Sequence, residues 1–379
     1  MVLCYALVPA VGALSRRRLW YGFRNRFNRM RLLPVLQSRD YWKLADMPEG
    51  RPFRFQGELE AASEDRLLWV RGRGFSVPVS LKNAETYLVP MQGGESGTGE
   101  IAEPGESQAE KIRPERSALA EGTKVFVGGQ LARIEGRWTF ASSRTLPLMV
   151  IFHDGQESSL AANAIWAGRQ RGEYLNRLTP YSLVFGTLCL LSMASYFLPR
   201  PAFRPAVLAS LVAIFVPLLP LVPPGLLCTI AYRSLTWRAR ILRAYADLAR
   251  LPVQYLLRRP SDLGSFGTLP DGERYGFVRV RLMPPEVADG RIPLLIPEMP
   301  RKTATDWYVF GTLKGRGDLP DRPSDPLSTF GAIPGNPLRY AGASTVKAYI
   351  LEGLGLLILL VGIAGNLFLL GLAVPVLLR

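Results

Sequence analysis

Three long apolar runs constrain this chain more strongly than any other feature. They cover residues 181–198, 206–232 and 353–378, and none of them contains a charged side chain. A helix of about 20 such residues crosses a hydrocarbon core of about 30 Å. The mean hydropathy is +0.11 although the net charge is +15, and this combination favours a membrane protein with basic flanks over a soluble enzyme. We therefore predict a multi-pass protein of the cell membrane. A soluble core hairpin is the alternative for the first two runs.

The second run is rich in helix-breaking prolines, and the third run is rich in small residues. Four prolines punctuate the second run, so a straight helix is not expected there. In the third run Gly355 and Gly362 share one helix face, and Ala364 and Gly371 share another, which allows close helix packing. Glycine is also common in membrane helices in general, so this pattern leaves the packing open. Asn366 is expected to bond to another helix.

The first fourteen residues are apolar and are followed by a cluster of arginines at 16–18. The stretch is too short for a confident span, and its charge order is the reverse of a signal peptide. Two interpretations remain open: an interfacial anchor, or part of a span that begins further upstream.

Arginines predict the orientation of the chain. They are concentrated on the outer flanks of the first two runs, at 169–177 and 233–259, whereas the turn between the runs carries only Arg200 and Arg204. Basic flanks stay in the cytoplasm. Regions 40–165 and 262–345 are therefore expected to be cytoplasmic, with the C-terminus on the outside.

Two basic stretches, 16–33 and 235–251, have apolar residues at three- and four-residue steps among arginines. Amphipathic helices of this kind lie in the headgroup plane, so anionic lipid headgroups are the expected partners. Arginine with aromatic residues also suits nucleic acid, and a solvated basic face is a further alternative, but the adjacent spans favour lipid and no nucleic-acid partner is expected. The candidate headgroup-binding residues are Arg16, Arg17, Arg18, Arg24, Arg26, Arg238, Arg240 and Arg243.

Two regions between the spans have the alternating pattern of β-strands. Residues 51–91 and 124–152 alternate apolar and polar side chains, with a hairpin turn predicted at Glu135-Gly136. The polar stretch 93–116 is predicted to be a flexible insertion, and 157–177 to be helical into the first span. Several short strands with glycine-rich turns favour a small β-barrel of OB type.

The second region echoes the first, which predicts a diverged duplication. Residues 275–282 resemble an opening strand, and 306–315 resemble 123–132. If the modules are copies, the pair Tyr308 and Phe310 should be buried as Val125 and Val127 are. Prolines in this region predict a ragged or open second barrel. They are Pro284, Pro285, Pro293 and Pro297.

The chain offers few groups for catalysis. It has three cysteines and one histidine, without metal-ligand spacing, so no metal or cofactor is expected. His153 is predicted to be a structural histidine at a strand end. The acidic cluster of Glu58, Glu60, Glu64 and Asp65 is interpreted as a solvated face. No catalytic residue is assigned, which makes an enzyme the less favoured class.

The order of these features resembles the GIDE/BAM domain, a membrane-flanked β-rich module. The resemblance rests on the strand with Gly57, the stretches 122–131 and 148–152, and residues 158–171 before a span. It covers about 50–200, with 270–375 as a second copy. It implies an α+β membrane protein with one or two OB-like modules. The zinc RING of the ligases in that family has no counterpart here. Proteins of the NfeD type are a second similar design.

Six parts make up the predicted layout. They are an apolar stretch with a basic amphipathic helix (1–40), a β-rich domain (41–179) with its insertion (93–116), a transmembrane hairpin (180–232), a basic interfacial helix (233–261), a second β-rich domain (262–349) and a transmembrane helix (350–379). The predicted function is a non-enzymatic, membrane-anchored scaffold of a bacterial envelope that binds an unidentified protein partner. A membrane-embedded enzyme or a transport component is the alternative.

Overall fold

The computed structural model describes residues 2–43, 49–63, 66–72, 74–90, 109–112, 120–169, 176–259, 262–263, 266–296, 306–314 and 319–377. The chain forms two compact units. The helical unit contains Met1–Tyr21, Arg171–Arg243 and Ala343–Arg379, and the β unit contains Gly22–Gln170 and Ala244–Gly342. These units cut across the boundaries of the predicted layout, because both predicted β-rich regions belong to the same unit.

The α-helices in the described ranges follow the apolar and amphipathic patterns of the sequence. In chain order they are α1 (Val8–Arg31), α2 (Ser38–Trp42), α3 (Leu160–Trp166), α4 (Leu178–Phe197), α5 (Arg204–Ile214), α6 (Gly225–Val253), α7 (Pro285–Ala288) and α8 (Pro337–Leu377). A π-helical turn, Leu3–Leu7, precedes α1, and 3-10 segments cover Glu157–Ser159, Pro201–Phe203 and Val216–Leu221.

The strands of the described ranges form one large sheet, one small sheet and a short two-stranded ladder. The large sheet contains β1 (Pro52–Ser63), β2 (Leu67–Arg71), β3 (Ser76–Ser80), β4 (Glu85–Leu88), β5 (Glu110–Lys111), β6 (Lys124–Ile134), β7 (Arg137–Ala141) and β8 (Met149–His153). The ladder contains β9 (Leu257–Arg259) and β10 (Asp262–Leu263), and the small sheet contains β11 (Phe266–Thr268), β12 (Arg274–Val280), β13 (Trp307–Thr312) and β14 (Gly331–Pro334).

Five strands of the large sheet close into a barrel. They pair in the order β1-β2-β3-β7-β6, and β6 returns to β1. The contact between β3 and β7 is parallel, whereas the other contacts around the barrel are antiparallel. The predicted turn at Glu135-Gly136 joins β6 to β7, and its φ angles of 51° and 78° are those of a tight hairpin turn. The barrel and its hairpin thus agree with the alternation in the sequence.

Alternation along β1 separates the barrel core from an outer face. Phe53, Phe55 and Leu59 are buried in the core with Val125 and Val127 of β6. Residues at the intervening positions of β1 point away from that core because successive side chains of a strand alternate. This outer face carries the polar groups of the candidate site.

The second half of α1 packs on the large sheet. The ring of Phe23 lies 4.6 Å from that of Tyr87 on β4, and the ring of Phe27 lies 5.5 Å from that of Phe126 on β6. Met30 is also buried. The apolar side of this stretch therefore contacts protein, where the sequence had predicted contact with lipid.

The small sheet is open and antiparallel. The order β12-β13-β14 repeats the antiparallel order β1-β6-β8 of the large sheet. Tyr308 and Phe310 are buried, as are Val125 and Val127, but every residue of β13 is buried. Val125 and Val127 belong to the barrel core, whereas the core cluster of the small sheet contains Trp307 and Val309 on the other face of β13, so the predicted equivalence of the two pairs is not confirmed. The small sheet is open, as the prolines predicted, although Pro284 and Pro285 mark the start of α7 and do not sit at a strand edge. Pro297 lies outside the described residues.

The predicted helix over 157–177 is wrong in its extent. A 3-10 turn and α3 end at Trp166, and Gly168 adopts a φ of +73° that breaks the helix. The next described helix, α4, begins at Leu178. The two elements are thus separate, and they belong to different units.

Three helical segments of the described chain are long and apolar enough to cross a membrane. They are Leu178–Phe197, Pro201–Leu221 and Pro337–Leu372. The second predicted run does not form one helix: α5 and a 3-10 segment end at Leu221, and α6 begins at Gly225. This break falls at the prolines, which cannot continue an α-helix without losing hydrogen bonds.

Side chains satisfy the carbonyl groups that the break leaves free. The Asn366 amide on α8 donates to the carbonyls of Leu219 and Val222, at 2.6 and 2.9 Å. The Thr229 hydroxyl donates to the carbonyl of Pro220 at 3.0 Å. Asn366 thus makes the bond to another helical segment that the sequence predicted. It donates to backbone carbonyls that would otherwise lack a hydrogen-bond partner in the apolar surroundings.

One glycine face of α8 packs on α6. A Cβ added at Gly362 would lie 2.5 Å from the Cβ of Cys228, and one at Gly355 would lie 3.4 Å from the ring of Tyr232. A Cβ at Gly371 would meet nothing within 4 Å. The face shared by Gly355 and Gly362 is therefore a packing face.

The N-terminal stretch packs lengthwise against α4. The hydroxyl of Tyr5 bonds to that of Thr187 at 3.0 Å, and the amide of Asn176 donates to the carbonyl of Pro9 at 2.9 Å. Between these contacts the two segments run antiparallel. The stretch is therefore packed against a candidate membrane-spanning helix.

Candidate functional site

Two of the arginines predicted to bind headgroups share one carboxylate of the helical unit. Glu352 of α8 lies 2.7 Å from Arg243 of α6 and 3.8 Å from Arg17 of α1. Arg243 also stacks over the ring of Tyr349, 4.7 Å from its centroid. One acidic residue thus ties three helices of the helical unit together, although partial exposure weakens each pair.

The other six headgroup candidates differ in their surroundings. Arg24 donates to the carbonyl of Ala167 at 3.0 Å, and Arg26 pairs with Glu85, so both are engaged within the β unit. Arg240 is half-buried. The remaining three are exposed and make no ion pair or hydrogen bond with any described residue. They are Arg16, Arg18 and Arg238.

An open cleft of about 490 Å³ runs along the outer face of β1 in the β unit. Its walls come from residues 35–38, from 71–75 beside β2, and from the loop 324–326 that precedes β14. Three cations and four carboxylates line it. They are Arg54, Arg71, Lys124, Glu58, Glu157, Asp271 and Asp325. The mixed charge and the polar floor suit a peptide-like partner better than a purely apolar one.

The innermost wall of the cleft is a buried ion pair. Arg54 of β1 donates to Asp325 at 2.5 Å, and the two side chains are 1% and 2% exposed. Arg54 also donates from Nε to the carbonyl of Leu33 at 3.0 Å, while Asp325 accepts from the hydroxyl of Ser328 at 2.7 Å. The pair joins β1 of the large sheet to the loop between β13 and β14 of the small sheet, so a strand and a distant loop meet at this wall of the cleft.

Two donors at the floor of the cleft lack partners. Nη1 of Arg54 and Nε2 of Gln56 are both buried and make no hydrogen bond to a described residue. They lie on the same face of β1 because residues two apart share a strand face. A buried donor without a partner costs free energy, so a ligand with carbonyl or carboxylate oxygens is favoured there.

A second arginine anchors the same loop without a carboxylate. Arg31 at the end of α1 is fully buried and donates to the carbonyl of Leu251 and the amide oxygen of Gln254, each at 3.0 Å, and to the hydroxyl of Thr329 at 3.3 Å. Its guanidinium lies 5.1 Å from the ring centroid of Tyr255. Carbonyls, a hydroxyl and an aromatic face thus stabilise this charge.

His153, the single histidine, ends β8 and is 2% exposed. Its Nδ1 has no hydrogen-bond partner among the described residues. Burial, with a smaller contribution from the nearby charge of Lys124, lowers its pKa from 6.5 to about 4. The imidazole is therefore neutral and inaccessible at neutral pH. It is placed as a structural histidine, as the sequence predicted.

A shallow groove of about 320 Å³ adjoins the cleft on the barrel surface. We call it the tryptophan groove, and its lining side chains are Tyr41, Trp42, Trp69, Pro78, Arg137 and Trp138. The Tyr41 ring lies 5.1 Å from that of Phe75, which lines the cleft. Burial raises the pKa of Tyr41 while the neighbouring Arg137 opposes the rise, so the phenol keeps its proton.

Neither the cleft nor the groove was predicted as a site from the sequence. Alternation places Arg54 and Gln56 on the outer face of β1, and such positions are ordinarily solvated. Only the fold shows that a loop 271 residues away covers Arg54. The three tryptophans of the groove lie on separate elements, so no local spacing marks them.

We compared the chain with protein-family models, curated proteins and solved structures. No family model, curated protein or solved structure matches it, so the function is argued from the geometry above.

Proposed function

We propose that this chain is a multi-pass, membrane-anchored scaffold whose β unit binds a protein partner in the cleft beside β1. The observation that carries the proposal is the buried Arg54–Asp325 pair, which ties the loop before β14 to β1 beside an open cleft lined by two residues with unpartnered donors. A preorganised cleft of this kind binds with a smaller loss of conformational entropy.

Outward-facing apolar side chains support the membrane anchor. Phe185 of α4 is 62% exposed, and Val361 and Phe368 of α8 are 61% and 68% exposed. Such a surface costs free energy in water and is stable in lipid. The exposed and unpaired Arg16, Arg18 and Arg238 belong to the same unit and are suited to anionic headgroups.

The barrel supports a binding role. Its strand order, with the parallel contact between β3 and β7, is similar to that of the five-stranded OB barrel, a fold often used for binding. The order β1, β6, β8 and α3 before a candidate span is compatible with a GIDE-like module, and the pairing order β12-β13-β14 is compatible with a shortened second copy.

A transport component is the second candidate, because the helix break at 221–225 is a feature of transporter sites. In such sites the unwound carbonyls coordinate the cargo. Here the carbonyls of Leu219 and Val222 accept hydrogen bonds from Asn366. These bonds use the groups that an ion would need, which favours the anchoring role.

The proposal is tested in two steps on the full chain. We expect it to remain in the membrane pellet after an alkaline wash and to be released by detergent. Cross-linked partners are then identified by mass spectrometry for the wild type, for Gln56→Ala in the cleft and for Gln130→Ala on the outer surface of β6. Loss of a partner with the first variant alone supports the cleft. Release by the alkaline wash, or identical partners for all three proteins, contradicts the proposal.

A further inference from the structure

The tryptophan groove gathers four aromatic side chains from distant parts of the chain. Tyr41 and Trp42 come from α2, Trp69 from β2 and Trp138 from β7. Trp69 pairs directly across the ladder with Pro78 of β3. Trp42 is 74% exposed, which is a costly position for an indole ring in water.

The groove also presents hydrogen-bond donors. The indole N–H groups of Trp42, Trp69 and Trp138 make no hydrogen bond to any residue that the structure describes, and neither does the phenol of Tyr41. Large rings whose donors have no partner in the protein are typical of surfaces that bind ligands carrying flat apolar faces and free acceptors. Arg137 is the single cation among the lining residues.

We propose that the tryptophan groove binds a proline-rich segment of the protein partner, in the polyproline II conformation, with an acidic residue beside it. This inference rests on the proposed function and names the partner's chemistry. Proline rings stack on aromatic side chains, and their carbonyls need donors from the receptor because proline residues carry no N–H of their own. The stiff polyproline II helix also loses little entropy on binding.

The charge of the groove favours this occupant over the others that aromatic surfaces bind. Single-stranded nucleic acid needs several cations along its backbone, whereas the lining supplies only Arg137. One cation matches one carboxylate next to the prolines. An amphipathic helix needs a groove of aliphatic pockets at helical spacing, which four rings and a proline do not provide.

The test uses the full chain in lipid nanodiscs and a fluorescent polyproline peptide that ends in two glutamates. We expect saturable binding, measured by fluorescence anisotropy. Trp42→Ala should weaken it by about thirtyfold, since exposed aromatic anchors dominate such interfaces. Trp42 is mostly exposed, so this variant keeps the fold. The matched control is Trp237→Ala on α6, which should bind like the wild type.

Arg137→Gln separates the contribution of the pair between Arg137 and the peptide glutamates from that of proline stacking on the aromatic rings. It should weaken binding of the glutamate-ended peptide several-fold and leave binding of a plain polyproline peptide unchanged. The proposal is overturned if the wild type does not bind the peptide, if Trp42→Ala binds it equally well, or if an oligothymidylate binds more tightly than the peptide. Each of these results leaves the membrane extraction and the Gln56→Ala comparison intact, so the two proposals fail separately.

Discussion

The buried charges Arg31, Arg54 and Asp325 of the β unit all join distant segments of the chain. The Arg54–Asp325 pair has a 2.5 Å contact and almost no exposure, so water does not screen it. Removing one partner of a buried pair leaves the other charge unpaired in a low-dielectric interior. Removing both leaves no charge to stabilise. Each charge therefore needs the other to be tolerated in the interior of the β unit.

A double-mutant cycle tests this residue-scale interpretation. We expect Asp325→Ala and Arg54→Met each to lower the free energy of unfolding by about 3–5 kcal/mol. The double variant Arg54→Met/Asp325→Leu should recover most of that loss, measured by denaturant unfolding in detergent. The exposed pair Lys314–Asp321 is the control, and Asp321→Ala should leave the melting temperature unchanged. Additive losses in the double variant would show that the two charges do not interact.

His153 gives the β unit a dependence on pH. Its pKa is about 4 in the folded chain and 6.5 when unfolded, so the unfolded state binds more protons between these values. The contribution of the neutral imidazole to the free energy of unfolding is fully present above pH 6.5. It decreases as the pH falls from 6.5 to 4, and below pH 4 no further free energy is lost. The full loss is about 3 kcal/mol.

The expected outcome is a pH-dependent difference between the wild type and His153→Leu. As the pH falls from 6.5 to 4, the wild type should lose more free energy of unfolding than the variant, because carboxylates titrate in both proteins and cancel in the comparison. Chemical unfolding at a series of pH values measures this difference. Parallel pH profiles would mean that the imidazole is not desolvated in the folded chain.

At the scale of elements, two glycines of α8 have different surroundings. A side chain at Gly362 would overlap Cys228 of α6, whereas one at Gly371 meets open space. Overpacking at a close helix contact costs about 1–3 kcal/mol. Gly362→Ala should therefore lower the thermal stability of the chain in detergent. Gly371→Ala is the matched control and should be neutral or slightly stabilising, since alanine is the better helix former. Equal effects at both positions would contradict a specific α6–α8 contact.

Elements were predictable from the sequence where their cause is local. Alternation predicted β1 and β6, the Glu135-Gly136 pair predicted the hairpin turn between β6 and β7, and prolines located the break in the second apolar run. The helix over 157–177 failed because the periodicity continues past Gly168, whose positive φ ends it. The spacing of apolar residues indicates which face of a helix is buried. It does not indicate where a single residue with a positive φ ends the helix.

The candidate site was less predictable, because its contacts join distant segments. Arg31 was assigned to a lipid-facing helix, yet the acceptor oxygens that hold it lie 220 residues or more along the chain. The local sequence around an arginine in an amphipathic stretch is the same whether its guanidinium contacts lipid, water or a buried carbonyl. Only the approach of the 325–329 loop distinguishes these environments.

At the scale of the whole molecule, the compact β unit makes a prediction about sidedness. Ser158 follows β8 and Arg322 precedes β14, and both residues are exposed within this one unit. A compact unit cannot be divided between the two sides of a membrane. Both residues must therefore lie on the same side, and the arginine-rich flanks predict that this side is the cytoplasm. The turn between α4 and α5 should lie on the opposite side.

Cysteine accessibility measures this arrangement in intact cells. Cys4, Cys189 and Cys228 are replaced by serine, and single cysteines are introduced as Ser158→Cys, Arg322→Cys and Ala202→Cys. A membrane-impermeant maleimide should label only Ala202→Cys until the cells are lysed, because Ala202 is exposed in the turn between α4 and α5. Labelling of Ser158→Cys and Arg322→Cys with protection of Ala202→Cys would invert the orientation while keeping the compact unit. Different labelling of Ser158→Cys and Arg322→Cys would contradict the compact unit itself, and with it the cleft that the unit encloses.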